Sequence, residues 1–191
     1  MRDTNKGGTV ILSMYSGFFS WLQRLAGEWF LGLSARFIFS SALLYFFWNS
    51  AFTKLGEGWS GLVQPSSGAY AQILPSLFEA ASYDTEQITF FPWKVIVILG
   101  TWGEFVLPLL ILLGLFTRLA SFGMIIFLAA MTYVDIFGHM VDETAIGRFF
   151  DSNPHHLIAD QRLFWVFLLA YLVLKGAGSV SLDRLLSKKL L

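Results

Sequence analysis

The stretch GTWGEFVLPLLILLGLFTRLA, residues 100 to 120, indicates the fold of this 191-residue chain. It is nearly all hydrocarbon, yet Glu104 lies near its middle and Pro108 follows four residues later. A membrane-spanning helix needs roughly 20 apolar residues, and an ionisable side chain inside such a span is costly unless it faces protein. We therefore predict a membrane helix whose Glu104 faces the interior of a helix bundle.

The composition of the whole chain agrees with this prediction. Hydrophobic residues make up 55% and charged residues 14%, whereas a soluble domain carries about a quarter charged residues. The formal net charge is zero, so the chain lacks the basic surface that nucleic-acid binding requires. Without any cysteine there is no ligand set for an iron–sulfur cluster and no thiol redox relay. No histidine lies deep in an apolar stretch and no phosphate-cradling glycine loop occurs, so we expect neither haem nor a nucleotide cofactor.

Four apolar stretches are long enough, or nearly so, to cross a bilayer. The predicted fold is an all-α integral membrane four-helix bundle, a single membrane domain over residues 1–191. The spans are expected at about 29–52, 93–116, 119–139 and 159–175.

The segments between the spans carry their own predictions. Within 1–28, the apolar stretch VILSMYSGFFSWL predicts an interfacial helix on the inner leaflet. The long loop 53–92 is expected to contain a short amphipathic helix, because its apolar residues after Tyr70 fall at near-helical spacing. The second loop is expected at 140–158 and a cytoplasmic tail at 176–191.

Basic residues predict the orientation of the bundle. They are enriched before the first span, in the turn after the second and after the fourth, whereas the two remaining loops are rich in acidic residues. Because basic segments stay in the cytoplasm, both termini are predicted to be cytoplasmic. The basic residues of these segments are Arg2, Lys6, Arg24, Arg118, Lys175, Arg184, Lys188 and Lys189.

Arg36 is the predicted partner of Glu104. It lies about 10 Å deep in the first span, and its long side chain reaches further inward. The favoured interpretation is an ion pair between helices that fixes packing, or an arginine that extends toward the surface. The alternative is that the two side chains hold a ligand headgroup or relay a proton. Pro108 is expected to kink the helix and to leave the Glu104 carbonyl free.

A second polar group is predicted at the outer end of the bundle. Asp135 and His139 are four residues apart and therefore share a helix face, and His155 and His156 follow in the next loop. These four residues are weak candidates for a mixed nitrogen and oxygen metal site. The stronger interpretation is a solvated turn and helix cap, because the spacing is not diagnostic.

Three segments carry a resemblance to a known family. They are ARFIFSSALLYFFWNSAFTKL, GEFVLPLLILLGLFTRLAS and GAGSVSLDRLL, and together they identify a chain similar to the DoxX family. The positions that match the family pattern are Arg36, Lys54, Glu104, Arg118 and Asp183.

The resemblance implies a four-helix protein of the bacterial cytoplasmic membrane that works with partner proteins, often in redox chemistry. Related members include the membrane subunit of a thiosulfate:quinone oxidoreductase. Of the matching positions, Arg118 and Asp183 are expected to be topological and capping residues. The expected ligand site comprises Arg36, Lys54 and Glu104 as implied by the resemblance, with Asn49 and Trp102 nearby.

Three functions remain open at this stage. The first is a quinone-associated redox subunit in which Glu104 and Arg36 act on the quinone and a partner supplies the electrons. The second is a non-enzymatic membrane anchor or assembly factor for a partner protein. The third is a small carrier or proton path. A complete enzyme acting alone is not expected, because the chain has no redox group of its own.

Overall fold

A computed structural model describes the backbone of residues 4–190, and every element of secondary structure in that range is helical. Three short π-helical segments lie at Phe90–Lys94, Val134–Gly138 and Leu157–Gln161. Two 3₁₀ turns lie at Ser60–Leu62 and Thr85–Gln87. The α-helices are α1 Thr4–Lys54, α2 Ser67–Ile73, α3 Pro75–Ala80, α4 Val95–Leu113, α5 Thr117–Tyr133, α6 Glu143–Ile146, α7 Arg162–Lys175 and α8 Leu182–Leu190.

Four helical segments in the described range are long and apolar enough to cross a membrane. This confirms the predicted all-α membrane fold with four spans. The spans are Trp29–Lys54, Phe90–Leu113, Thr117–Gly138 and Leu157–Lys175.

Helix α1 is broken at Gly27, where the backbone takes φ 48° and ψ −166°. A positive φ favours glycine because it has no Cβ. The part of α1 before the break is helical, as predicted, and it exposes large apolar side chains such as Phe18, Trp21 and Leu25. Its location on a leaflet stays a prediction.

The core of the bundle lies between the four spans. Helix α1 packs against α4 and α7, and α5 packs against the same two helices. Large apolar side chains on the outer surface, among them Phe37, Leu119 and Phe167, are exposed, as expected for helices surrounded by lipid. The buried core is formed by Ala35, Phe39, Leu43, Phe47, Ile111, Ala120, Met124, Leu128, Leu169 and Leu172.

The two ends of the bundle differ in structure. We call the end formed by the α4–α5 turn, residues 176–181 and α8 the basic end. The opposite end, formed by residues 55–94 and 139–156, is called the loop end. Which of them faces the cytoplasm stays a prediction from the distribution of basic residues.

The loop end contains two short helices where the sequence predicted one. Helices α2 and α3 meet at Leu74 and Pro75, because a proline starts a helix readily but cannot continue one. Both helices contribute to a small second core with Ile88 and Val97. Gly100 permits this packing, since a Cβ there would lie 3.0 Å from Ile73 Cδ1.

Candidate functional site: a buried lysine–glutamate pair

Lys54 and Glu104 form an ion pair inside the protein. Lys54 is the last residue of α1, and Glu104 lies near the middle of α4. The Lys54 Nζ lies 3.0 Å and 2.9 Å from the two carboxylate oxygens of Glu104. Their side chains are only 3% and 6% exposed, so the pair is shielded from both water and lipid.

Ser50 completes this site. Its Oγ accepts a hydrogen bond from Lys54 Nζ at 2.5 Å and donates one to Glu104 Oε1 at 3.3 Å. Ser50 and Lys54 are four residues apart and therefore lie on one face of α1. Sequence reasoning missed Ser50, although this spacing before Lys54 was a usable signal.

The loop end covers the site on one side. The Ser66 backbone N–H donates to the Lys54 carbonyl at 2.9 Å, and the Ser66 hydroxyl donates to the Thr53 carbonyl at 3.1 Å. These bonds satisfy carbonyls at the C-terminal end of α1, which have no partner within the helix. The chain before α2 is thereby fixed over the buried pair.

The predicted pair between Arg36 and Glu104 is wrong. The Arg36 guanidinium donates to four backbone carbonyls at the basic end, those of Ile111, Leu112, Ala177 and Val180, at 2.9, 2.5, 3.4 and 2.6 Å. Eight residues separate Glu104 from Leu112, which corresponds to about 12 Å along a helix. Arg36 binds the unpaired carbonyls of the α4 C-terminus instead, where the helix dipole also favours a cation.

Arg36 joins α4 to the segment that follows α7. Gly114 makes room for the guanidinium, because a Cβ there would lie 2.6 Å from Arg36 Cζ. Gly114 also has φ 66°, which ends α4 in a left-handed residue. The structure therefore gives Arg36 a positioning role at the basic end. Arg36 is not part of the Lys54–Glu104 site.

Aromatic side chains flank the site along the line where α1 meets α4. We call Trp48, Phe52, Trp102 and Phe105 the aromatic seam. The ring of Phe105 lies 5.0 Å from that of Phe52 and 6.0 Å from that of Trp102, measured between centroids. Phe52 and Trp102 are 62% and 37% exposed, so this aromatic surface is open to lipid.

Both tryptophans of the aromatic seam also donate hydrogen bonds. Trp48 Nε1 donates to the Phe105 carbonyl at 3.1 Å, and Trp102 Nε1 donates to the Leu62 carbonyl at 2.8 Å. The carbonyl that Pro108 leaves without a helical N–H is that of Glu104, one residue before Phe105. Helix α4 runs through Pro108 as one element, so the predicted kink does not interrupt it. Asn49, a predicted neighbour of the site, lies on an exposed face of α1.

The weak metal candidates have other partners. Asp135 pairs with Arg162, which also donates to Thr132 Oγ1 at 2.7 Å, and His139 Nε2 bonds the Gln72 carbonyl at 3.1 Å. Among residues 4–190, no group of three or more His, Cys, Asp or Glu side chains is arranged to hold a metal ion. Arg162 was not among the predicted site residues, so its pairing with Asp135 was missed.

The loop histidines differ from each other. His156 Nδ1 lies 2.6 Å from the Thr144 carbonyl and its Nε2 lies 3.0 Å from Asp151 Oδ2, whereas His155 is exposed. The Thr144 carbonyl raises the pKa of His156 most, and Asp151 raises it further. This pair orders a loop, in agreement with the stronger of the two interpretations above.

Asp183 caps a helix, as predicted. Its carboxylate accepts hydrogen bonds from the backbone N–H groups of Phe116 and Thr117 at 2.7 and 3.0 Å. These N–H groups open α5, where a carboxylate also complements the helix dipole. The Asp183 side chain thus caps the N-terminus of α5, although Asp183 lies 66 residues after Thr117 in the chain.

The four apolar spans around a buried ion pair define a multi-pass membrane protein. The family model DoxX matches residues 33–139, more than half of the chain, and the chain therefore belongs to the DoxX family. The match includes both members of the Lys54–Glu104 pair. Neither the curated proteins nor the solved structures gave a match to this chain.

Proposed function

We propose that this protein is a quinone-associated membrane subunit of a redox complex in the bacterial cytoplasmic membrane, with electrons supplied by a partner protein. The observation that supports it is that the Lys54–Glu104 pair joins the same two helices, α1 and α4, that carry the exposed aromatic seam. Quinones dissolve in lipid, and an aromatic surface facing lipid offers their rings a place to stack. Buried ionisable pairs next to such a surface are candidates for proton exchange.

The residues fit such a ligand in two respects. Phe52, Phe105 and Trp102 would hold the ring, and half-buried Ser50 is the polar group that bonds the Glu104 carboxylate from α1. A bound quinone accepts two electrons and two protons to become a quinol. In this ion pair the Lys54 ammonium would donate a proton and the Glu104 carboxylate would accept one from water in relay, and Ser50 bonds both groups.

A quinone extraction tests the proposal. The purified protein in mild detergent is extracted with solvent, and the quinone is measured against protein. We expect near-stoichiometric quinone in the wild type, and a loss of most of it in Glu104→Gln and in Phe105→Ala. Asp135→Asn is the matched control, because it also removes a paired carboxylate from a span and should retain the quinone.

Two results would contradict the proposal. One is the absence of quinone from the wild-type protein as well as from the variants. The other is quinone-dependent turnover in membranes that is unchanged in Glu104→Gln. Phe105→Ala leaves the ion pair intact, so it separates loss of the ring surface from loss of the carboxylate.

A second candidate function is a membrane anchor or assembly factor, and the loop end favours it. Large apolar side chains there are strongly exposed, notably Trp59 at 91%, Met140 at 81% and Phe150 fully. Such surfaces commonly mark sites of protein contact. Co-purification in mild detergent tests this function: a partner retained by the wild type should be lost in Trp59→Ala with Phe150→Ala. The lipid-facing Phe167→Ala serves as the control.

A further inference from the structure

A cavity of about 870 Å³ lies at the basic end, away from the Lys54–Glu104 site. It is bounded by the break at Gly27, the end of α7, residues 176–181 and α8. Its volume is within the range of roughly 300–1,000 Å³ typical of small-molecule sites. Nothing in the proposed function uses this cavity.

Three basic side chains line the cavity: Arg118, Lys175 and Arg184. Within the described part of the chain, none of them donates a side-chain hydrogen bond or forms an ion pair. Asp183 is the acidic residue of the lining, and its carboxylate already accepts the N–H groups of Phe116 and Thr117. With three cations and one carboxylate, the lining carries a net positive charge.

The segment 176–181 forms one wall of the cavity, and several of its backbone carbonyls already accept hydrogen bonds from the protein. The carbonyls of Ala177 and Val180 accept from Arg36, and the carbonyl of Gly178 accepts from the Ser181 hydroxyl. These three oxygens are thus occupied by donors of the protein itself. An anion in the cavity therefore meets less repulsion from these carbonyl oxygens than it would if they had no donors.

Apolar residues form the remaining side of the cavity. Leu31, Phe116 and Leu119 line it and are exposed, and they lie where spans begin or end. Next to them, α8 carries Leu182, Leu185 and Leu186 together with basic residues, a composition typical of helices at a membrane surface. The cavity thus has basic side chains on one side and, next to them, an apolar wall that faces hydrocarbon.

We propose that this cavity binds the phosphate group of an anionic phospholipid, with Arg118, Lys175 and Arg184 as its cationic partners. Arginine and lysine are the usual ligands of phosphate, and they bind it through charge-assisted hydrogen bonds. The exposed Leu31 and Leu119 contact the acyl chains. A free phosphate ester has the same charged group but no acyl chains that could contact the apolar wall.

Thermal unfolding in detergent tests this site without any assay of redox activity. Intrinsic tryptophan fluorescence is followed while phosphatidylglycerol, phosphatidylcholine or inorganic phosphate is added to the full-length protein. We expect phosphatidylglycerol to raise the unfolding temperature and phosphatidylcholine to have little effect. Phosphate alone should raise it only at much higher concentration.

Variants locate the effect in the cavity. Arg118→Gln and Arg184→Gln should each weaken the apparent affinity for phosphatidylglycerol about fivefold. Arg148→Gln removes the same charge at the loop end, from an exposed side chain, and should leave the affinity unchanged. Arg118→Lys should retain most of the binding, which separates a charge effect from misfolding.

Three results would overturn the proposal: equal effects of phosphatidylglycerol and phosphatidylcholine, equal losses in Arg118→Gln and Arg148→Gln, or no lipid effect at all. If inorganic phosphate matches phosphatidylglycerol at equal concentration, the recognised group is still phosphate, but its source is a soluble ester. Each of these results is independent of the quinone extraction, so the two proposals fail separately.

Discussion

The Lys54 ammonium and the Glu104 carboxylate, 2.9 Å apart, connect the end of α1 to the middle of α4. Both side chains are buried, and Ser50 bonds each of them. Removing two charges from water is expensive, and their attraction repays this only when both partners are present. Loss of one partner should therefore cost more than loss of both.

Single substitutions in this pair should destabilise the protein strongly. Lys54→Met or Glu104→Leu leaves an uncompensated charge inside the bundle, at a cost of roughly 3–5 kcal/mol in the free energy of unfolding. The double variant Lys54→Met with Glu104→Leu should recover most of that loss. Unfolding in mixed micelles, followed by tryptophan fluorescence, measures all three.

A matched control for this experiment is the exposed pair of Arg148 and Glu143, which are 3.9 Å apart. Removal of either side chain there should have no measurable effect, because exposed pairs are screened by solvent. A double variant in the Lys54–Glu104 pair that is no more stable than the single variants would refute the coupling.

Arg36 should stabilise the basic end through its four carbonyl partners. Arg36→Gln removes the charge and most of the donors, and charge-assisted hydrogen bonds contribute about 1.5–3 kcal/mol each, so we expect a loss of at least about 3 kcal/mol. Arg36→Lys should recover only part of it, because an ammonium lacks the planar fork that reaches several carbonyls. Arg148→Gln is the control, since Arg148 is exposed and lies at the loop end.

The segment 176–190 should be the first part of the chain to lose order in the Arg36 variants. Limited proteolysis is expected to cut it earlier in Arg36→Gln than in the wild type, because two of the lost bonds hold Ala177 and Val180. Equal cleavage rates in the wild type and Arg36→Gln would show that Arg36 does not fix this segment.

The partner of Glu104 shows where sequence reasoning reaches its limit. The cost of a carboxylate in lipid placed Glu104 inside the bundle correctly, because an ionisable side chain in a span has to face protein. The sequence prediction chose Arg36 as its partner where the structure has Lys54, since depth along a span depends on how the helices are offset. That offset is set by contacts at both ends, such as those of Arg36 with the α4 carbonyls. The four spans followed from local patterns and the capping role of Asp183 from the family resemblance, whereas these tertiary contacts followed from neither.

Asp183 should contribute an N-cap to α5 although it lies in a distant part of the chain. Asp183→Ala removes both acceptor oxygens and should cost about 1–2 kcal/mol. Asp183→Asn keeps one acceptor and should cost less. Hydrogen exchange at the N–H groups of Phe116 and Thr117 reports the cap directly, and unchanged exchange in Asp183→Ala would exclude this role.

The loop between α6 and α7 should lose order as the pH rises above neutrality. His156 meets a carbonyl with one ring nitrogen and the Asp151 carboxylate with the other, so only the doubly protonated ring donates to both. These contacts, led by the Thr144 carbonyl, raise the pKa of His156 above its ordinary value. Its contribution to stability is therefore complete below pH about 6.5, the value in an unfolded chain, and is lost as pH rises through the raised pKa.

Asp151 remains charged throughout that range, because the Asn153 N–H and His156 lower its pKa. Hydrogen exchange over residues 142–161, corrected for intrinsic rates, should become faster in the wild type as the pH rises above about 6.5, and His156→Gln should lack this transition. Gly147→Ala should show rapid exchange at every pH, since a Cβ there would lie 2.2 Å from His156 Cγ at a φ of 71°. A wild-type profile that matches His156→Gln across the range would show that the ring stays neutral and that Asp151 does not hold it.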